Sequence, residues 1–159
     1  MEVDVFIEIS QGSSVKYELD KETNNLRVDR FLYTAMFFPF NYGFITKTQG
    51  KDGDPLDALV LSDFSVLPGS LIKCKPIGGL EMEDEAGQDE KIIVVPIIKI
   101  DPFWGRYQNI NEIPESYKNK IKHFFENYKT LEPNKWVKIS NWFDQKKSFE
   151  IIEMFTKND

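Results

Sequence analysis

The two side chains that most often carry enzyme chemistry are nearly missing here: 159 residues contain one histidine, His123, and one cysteine, Cys74. A lone cysteine forms no internal disulfide and fits a reducing compartment, and within the strand-like LIKCKPI it reads as a small buried apolar residue. One histidine inside the helix-like KHFFENYK, with no nucleophile motif elsewhere, excludes a histidine-dependent triad. One His and one Cys cannot supply the nitrogen and sulfur ligands of a structural zinc site either. No apolar run approaches the ~20 residues of a membrane-spanning helix. The N-terminus MEVDVFIEIS alternates and carries acids where a secretory leader has a basic and then an apolar stretch, so a cytoplasmic protein without membrane association is expected. An excess of positive charge is lacking too: 26 acids against 20 Lys and Arg give −6, which argues against nucleic acid as the main ligand.

What the chain does have is acids in two places. KDGDPLDALVL at 51–61 sets Asp52, Asp54 and Asp57 within six residues, and EMEDEAGQDE at 81–90 adds Glu81, Glu83, Asp84, Glu85, Asp89 and Glu90. Residues 52–57 and 81–90 hold nine of the 26 acids and no base, so the remainder, with 17 acids against 20 bases, is net positive. Asp-Gly and Asp-Pro are ordinary turn formers, and a solvated acidic turn is one reading of the first segment. The other is a cation site, because crowded carboxylates repel unless something neutralises them.

The length fits one domain over 1–159, and 41% hydrophobic residues without a long polar tract mark a globular chain. Val3, Val5, Ile7 and Ile9 alternate with Asp4, Phe6 and Glu8, the period of a half-buried strand. VKYELD, the stretch around LRVDRF, YGFIT, ALVL at 58–61, LIKCKPIG at 71–78, KIIVVPIIKI at 91–100 and WVKIS at 136–140 read as further strands. So many short strands suggest a barrel or sandwich. A helix is predicted from about Pro114 to about Lys129, with Ile113, Tyr117, Ile121, Phe124, Phe125 and Tyr128 on one face. A second starts at Asp144 as N-cap and presents Phe149, Ile152 and Phe155.

Carboxylates without soft ligands favour Mg²⁺, Mn²⁺ or Ca²⁺. An EF-hand fails: its fifth position would be Leu56, and its sixth, which needs Gly, is Asp57. Lys16, Arg30, Lys91 and Lys129 lie singly beside strand or helix ends and suit phosphate oxygens, the usual company of magnesium.

Asp52-Gly53-Asp54-Pro55-Leu56-Asp57 resembles the metal-site signature of the soluble family I inorganic pyrophosphatases of bacterial type. IEIS at 7–10, KYELDKE at 16–22, VDRFLYTAMF at 28–37, PFNYGFI at 39–45, MEDEAGQDEK at 82–91 and HFFENYKTLEPNKWVKI at 123–139 match it in order. IDPFWGRYQN at 100–109 resembles the family least. The resemblance implies a mainly β, α+β fold, with a small closed five-stranded OB-like barrel and two flanking helices. It implies Mg²⁺-dependent hydrolysis of pyrophosphate to two orthophosphates, with several Mg²⁺ per site and Mn²⁺ a possible substitute. Asp52, Asp57 and Asp89 would hold one ion, and Asp57 would reach a second. Asp84 and Asp89 would bind the ion arriving with substrate, while Glu8 and Glu18 would hold a hydrated one. Asp54 matches the general base, and Lys16, Arg30, Lys91, Tyr128 and Lys129 match phosphate ligands. Tyr42 matches a tyrosine that hydrogen-bonds in the site, and Glu85 a further site residue. Phe38 stands where the family usually has a tyrosine. Bacterial relatives are hexamers, with His123 matching a family histidine and Asn127 replacing a second, so a homo-hexamer is expected. The alternatives are a metal- and phosphate-binding relative impaired in catalysis, and an OB-type nucleotide or nucleic-acid binding module.

Overall fold

The computed structural model describes residues 1–158. Alternation builds the first strand: β1 (Val3–Ile9) buries Val5, Ile7 and Ile9 and leaves Asp4, Phe6 and Glu8 on its less buried face. β2 (Val15–Asp20) and β3 (Asn25–Phe31) pair with each other as an antiparallel hairpin. The main sheet continues with β4 (Asn41–Ile45), β5 (Asp57–Val60), β6 (Leu71–Asp84), a two-residue β7 (Gly87–Gln88), β8 (Lys91–Pro96) and β9 (Val137–Asp144). Pairing runs β1–β4–β5–β8–β6, and β6 pairs back onto β1, so five strands form a ring. The β5–β8 contact is parallel and the others are antiparallel. This mainly β ring with two helices agrees with the expected OB-like architecture.

β5 and β8 are buried on both faces. Ala58, Val60, Ile92 and Val94 enter a core with Ile151 and Ile152, while Leu59, Ile93 and Val95 enter one with Ile121, Phe124 and Phe125. That double burial is why ALVL and KIIVV read as continuous apolar runs rather than alternating ones.

Two strand ends differ from expectation. β6 was expected to stop at Gly78 and instead runs through Gly78 and Gly79 to Asp84, pairing first with β8 and then with β9. Gly79 serves a close approach rather than a turn, since a Cβ there would lie 2.0 Å from the Phe143 ring of β9. β8 stops at Pro96; Ile97 N still donates across to Lys73 O at 3.1 Å, and the chain then turns over residues 97–101, with Asp101 N donating to Ile97 O at 3.0 Å. The divergent loop that follows is anchored by Trp104, 1% exposed, whose Nε1 donates to Asp63 Oδ1 at 3.0 Å.

α1 (Glu115–Asn127) follows Pro114 and buries Ile121, Phe124 and Phe125, with Tyr117 packed alongside. α2 (Gln145–Phe155) is capped as expected, Asp144 Oδ1 accepting from Lys147 N at 2.9 Å. Its inward face is Ser148, Ile151, Ile152 and Phe155, so Phe149 is a correction: it sits one step off that face and is half-buried. Among the described residues no helix is long and apolar enough to cross a membrane.

Candidate active site

The ring of strands brings every residue given a catalytic, phosphate-binding or metal-binding role in the sequence to one cavity of about 650 Å³; Glu81, Glu83, Glu90, Phe38, Cys74 and His123 lie outside it. Glu8 comes from β1, Lys16 and Glu18 from β2, Arg30 from β3 and Tyr42 from β4. Asp52 and Asp54 lie on the turn before β5, and Asp57 opens that strand. Asp84 ends β6, Glu85 follows it, Asp89 and Lys91 flank the start of β8, and Tyr128 and Lys129 follow α1. Asp29, Tyr17 and Lys135 also line the cavity and went unnoticed; nothing in their local pattern separates them from surface residues. A smaller cavity of about 490 Å³ adjoins it, sharing Asp52, Asp54, Asp57 and Asp89 and floored by Phe143, Ile151 and Phe155.

The acidic turn is built from its own backbone. Gly50 N donates to Asp54 O at 2.8 Å, Gly53 N donates to Gly50 O at 3.1 Å, and Asp52 Oδ1 accepts from Asp54 N at 3.0 Å. Gly53 has φ +88°, a left-handed conformation that costs glycine nothing. Buried Leu56 pins the end of the turn beneath the sheet.

Lys91 is the centre of the site. It is 2% exposed, and its Nζ donates to Tyr42 Oη at 2.7 Å, Asp57 Oδ2 at 2.8 Å and Asp89 at 3.1 Å. Three N–H groups meet three partners, so a phosphate reaches this ammonium only by displacing one of them. Burial pulls the Lys91 pKa down, but Asp57, Tyr42 and Asp89 outweigh it and hold the group well above the ordinary lysine value. Burial, then the Asp57 charge, pushes the Tyr42 phenol well up. Tyr42 therefore stays protonated, and because its oxygen accepts from Lys91, its proton is free for another acceptor.

The first acidic cluster meets a base as well as being a candidate ion site: Lys91 Nζ lies 2.8 Å from Asp57. Its nearest base in the structure comes from β8, far along the chain, where no local reading of KDGDPLDALVL could find it. A similar pair lies across the cavity: Lys129 Nζ is 3.2 Å from Asp84 and 3.3 Å from Glu85. Burial lowers the Lys129 pKa, but Tyr128, Asp84 and Glu85 prevail and raise it. Glu8 differs. Burial pushes its carboxyl up to about 7, against the hydrogen bond it accepts from Leu19 N at 2.8 Å and helped by the Asp57 charge.

Every candidate donor in the cavity is a carboxylate oxygen, which fits a hard divalent cation. Among the described residues no three acidic, histidine or cysteine side chains converge on one point, because Asp57 and Asp89 turn onto Lys91 and Asp84 and Glu85 onto Lys129. The donor set fits an ion; its side chains face the lysines.

Known proteins share this sequence and fold. The profile of the inorganic pyrophosphatase family matches residues 5–158. An inorganic pyrophosphatase of Saccharolobus solfataricus is 55% identical over 141 residues, 89% of this chain and 82% of its own length. That of Aquifex pyrophilus is 53% identical over 154 residues, 97% of this chain and 87% of its own. The solved inorganic pyrophosphatase of Helicobacter pylori superposes with a TM-score of 0.95 at 50% identity, covering 98% of this chain and 91% of that one.

Proposed function

The chain belongs to the family of soluble inorganic pyrophosphatases, hydrolases that split pyrophosphate into two phosphates, and from that premise we propose how its cavity does so. The observation that carries the residue assignment is the meeting of carboxylates and bases from separate elements in one cavity around a buried, fully paired lysine. Asp52, Asp57 and Asp89 would hold one divalent ion, with Asp57 shared by a second. Asp84 and Asp89 would meet the ion that accompanies substrate, and Glu8 and Glu18 a hydrated one. When bound, the ions supply positive charge against phosphate oxygens and make water more acidic. We assign them as Mg²⁺, with Mn²⁺ as substitute, from the all-oxygen donor set.

The rest falls to the chain. Asp54 takes the proton of the attacking water. Lys16, Arg30, Tyr128 and Lys129 bind the phosphates, and Lys91 joins them by giving up one of its present partners. Tyr42 donates its free hydroxyl proton into the cavity, and Glu85 holds Lys129 in place. Pyrophosphate rather than an oligonucleotide is taken as the ligand because the relatives that share this sequence and fold are inorganic pyrophosphatases. We further assign residues 1–159 to one domain that works in the cytoplasm as a homo-hexamer, with exposed His123 at a subunit contact.

Phosphate release from pyrophosphate with Mg²⁺, repeated with excess chelator, tests the reading. Activity that survives the chelator would remove the metal assignment, and Asp54→Asn with near-normal turnover would remove the base. Light scattering near neutral pH should give a hexamer; a monomer at micromolar concentration overturns that assignment.

A further inference from the structure

Glu132 lies in the turn after α1, in TLEPN, and is 8% exposed although it is a carboxylate with no metal-like cluster around it. Leaving a buried carboxylate without a partner is costly, so its partner identifies its role. That partner is Arg30, whose Nε lies 2.9 Å from Glu132 Oε1 in a close ion pair, although its N–H does not point squarely enough at the carboxylate to make a hydrogen bond. Arg30 lines the cavity and Glu132 does not, so Glu132 reaches the guanidinium from behind, away from the space a phosphate would fill. Asp29 takes Arg30 Nη1, which leaves Nη2 for an incoming anion. The Glu132 turn also carries Lys129, the base across the cavity: Glu132 N donates to Lys129 O at 3.1 Å. One carboxylate thereby ties the strand bearing Arg30 to the turn bearing Lys129. Its second oxygen, Oε2, is buried without a partner.

We infer that Glu132 is a positioning residue for pyrophosphate hydrolysis, fixing the fork of Arg30 towards the substrate phosphate. Without it Arg30 keeps only Asp29, its neighbour in the chain, which also lies 3.6 Å from Lys16, and the fork would swing towards that pair. The inference rests on the reading of Arg30 as a phosphate ligand.

Glu132→Gln keeps the shape and removes the charge. Steady-state kinetics at saturating Mg²⁺ should show KM for pyrophosphate raised about tenfold with kcat within about threefold, and Mg²⁺ affinity by calorimetry should be unchanged. Arg30→Lys, which lacks the fork, should raise KM by itself, and adding Glu132→Gln to it should change KM by less than about twofold. If the two effects multiply instead, Glu132 acts on the fold at large and the positioning role is overturned. An unchanged KM in Glu132→Gln beside a raised KM in Arg30→Lys overturns the role of Glu132 alone. An unchanged KM in Arg30→Lys removes the reading of Arg30 and the inference with it. Glu132→Asp, which keeps the charge but withdraws it by one methylene, is measured in parallel and should raise KM in the same direction. That variant serves if Glu132→Gln is not recovered folded.

Discussion

Phe38→Tyr supplies the hydroxyl that the family resemblance leads one to expect at this position, and the structure sets its expected effect. Phe38 is 2% exposed, and its ring lies 4.7 Å from Phe124, 5.4 Å from Tyr42 and 6.3 Å from Tyr128. Tyr42 and Tyr128 line the cavity but Phe38 does not, so the new hydroxyl enters a packed aromatic cluster behind the site. Were a hydroxyl there a required proton-transfer group, its absence would cost on the order of 10² to 10⁴ in rate. As one neutral hydrogen bond it is worth about 1 kcal/mol, or roughly fivefold. The second magnitude fits the proposed mechanism, because the groups assigned there to handle protons both line the cavity: Asp54 on the acidic turn, and Tyr42 with its proton free. Steady-state phosphate release at saturating Mg²⁺ should therefore change by less than about tenfold in Phe38→Tyr, while Asp54→Asn falls at least about a hundredfold. If the hydroxyl finds no partner among the rings, stability drops by about 1–3 kcal/mol, or a few degrees in Tm. A gain of two or more orders of magnitude in turnover would refute this reasoning and show the native chain to be catalytically impaired.

Lys91→Met strips the cation from between Asp57 and Asp89. Because those carboxylates are partly exposed, metal-free protein should lose roughly 2–4 kcal/mol in urea unfolding at pH 7, and added Mg²⁺ should restore more stability to the variant than to the native chain. Asp57→Asn should be the most damaging change in the acidic turn, since Asp57 meets Lys91 and is assigned to two ions; unaltered Mg²⁺ affinity with near-normal turnover contradicts that. Glu8 has a folded pKa raised to about 7 from an ordinary value of 4.5, so the folded state holds the extra proton between them. Its contribution to metal-free stability is therefore present below about pH 4.5 and is lost as pH rises through 7; Glu8→Gln should flatten that loss, and parallel pH profiles of the two proteins count against the buried carboxyl.

Periodicity carried most of the fold into view. The alternation of Val5, Ile7 and Ile9, the α1 face of Ile121, Phe124 and Phe125, and the Asp144 cap are local patterns, and each appears where its pattern puts it. The errors sit where a residue serves a distant partner. Gly78 and Gly79 read as a strand end because glycine usually marks one, whereas Gly79 is small to admit the Phe143 ring of another strand. The apolar run after Pro96 read as strand because its composition is right, but beyond Ile97 the backbone bonds to itself in a turn, Ile100 N and Asp101 N both donating to Ile97 O. The site behaves the same way. Its acids announce themselves by crowding, and a motif of known relatives orders them, yet Lys91 looks in sequence like any base beside a strand. What distinguishes it is burial against Asp57, which only the parallel pairing of β5 and β8 supplies, setting Ala58 beside Ile92. Glu132 is less visible still: it belongs to no cluster, and the reason for its burial, Arg30, lies on a strand near the other end of the chain. A sequence shows which side chains are chemically able to act. Closing the ring of strands decides which of them face each other, and in this cavity those pairings set which of the proposed ion-binding carboxylates, Asp57, Asp84 and Asp89 among them, must exchange a lysine for a cation.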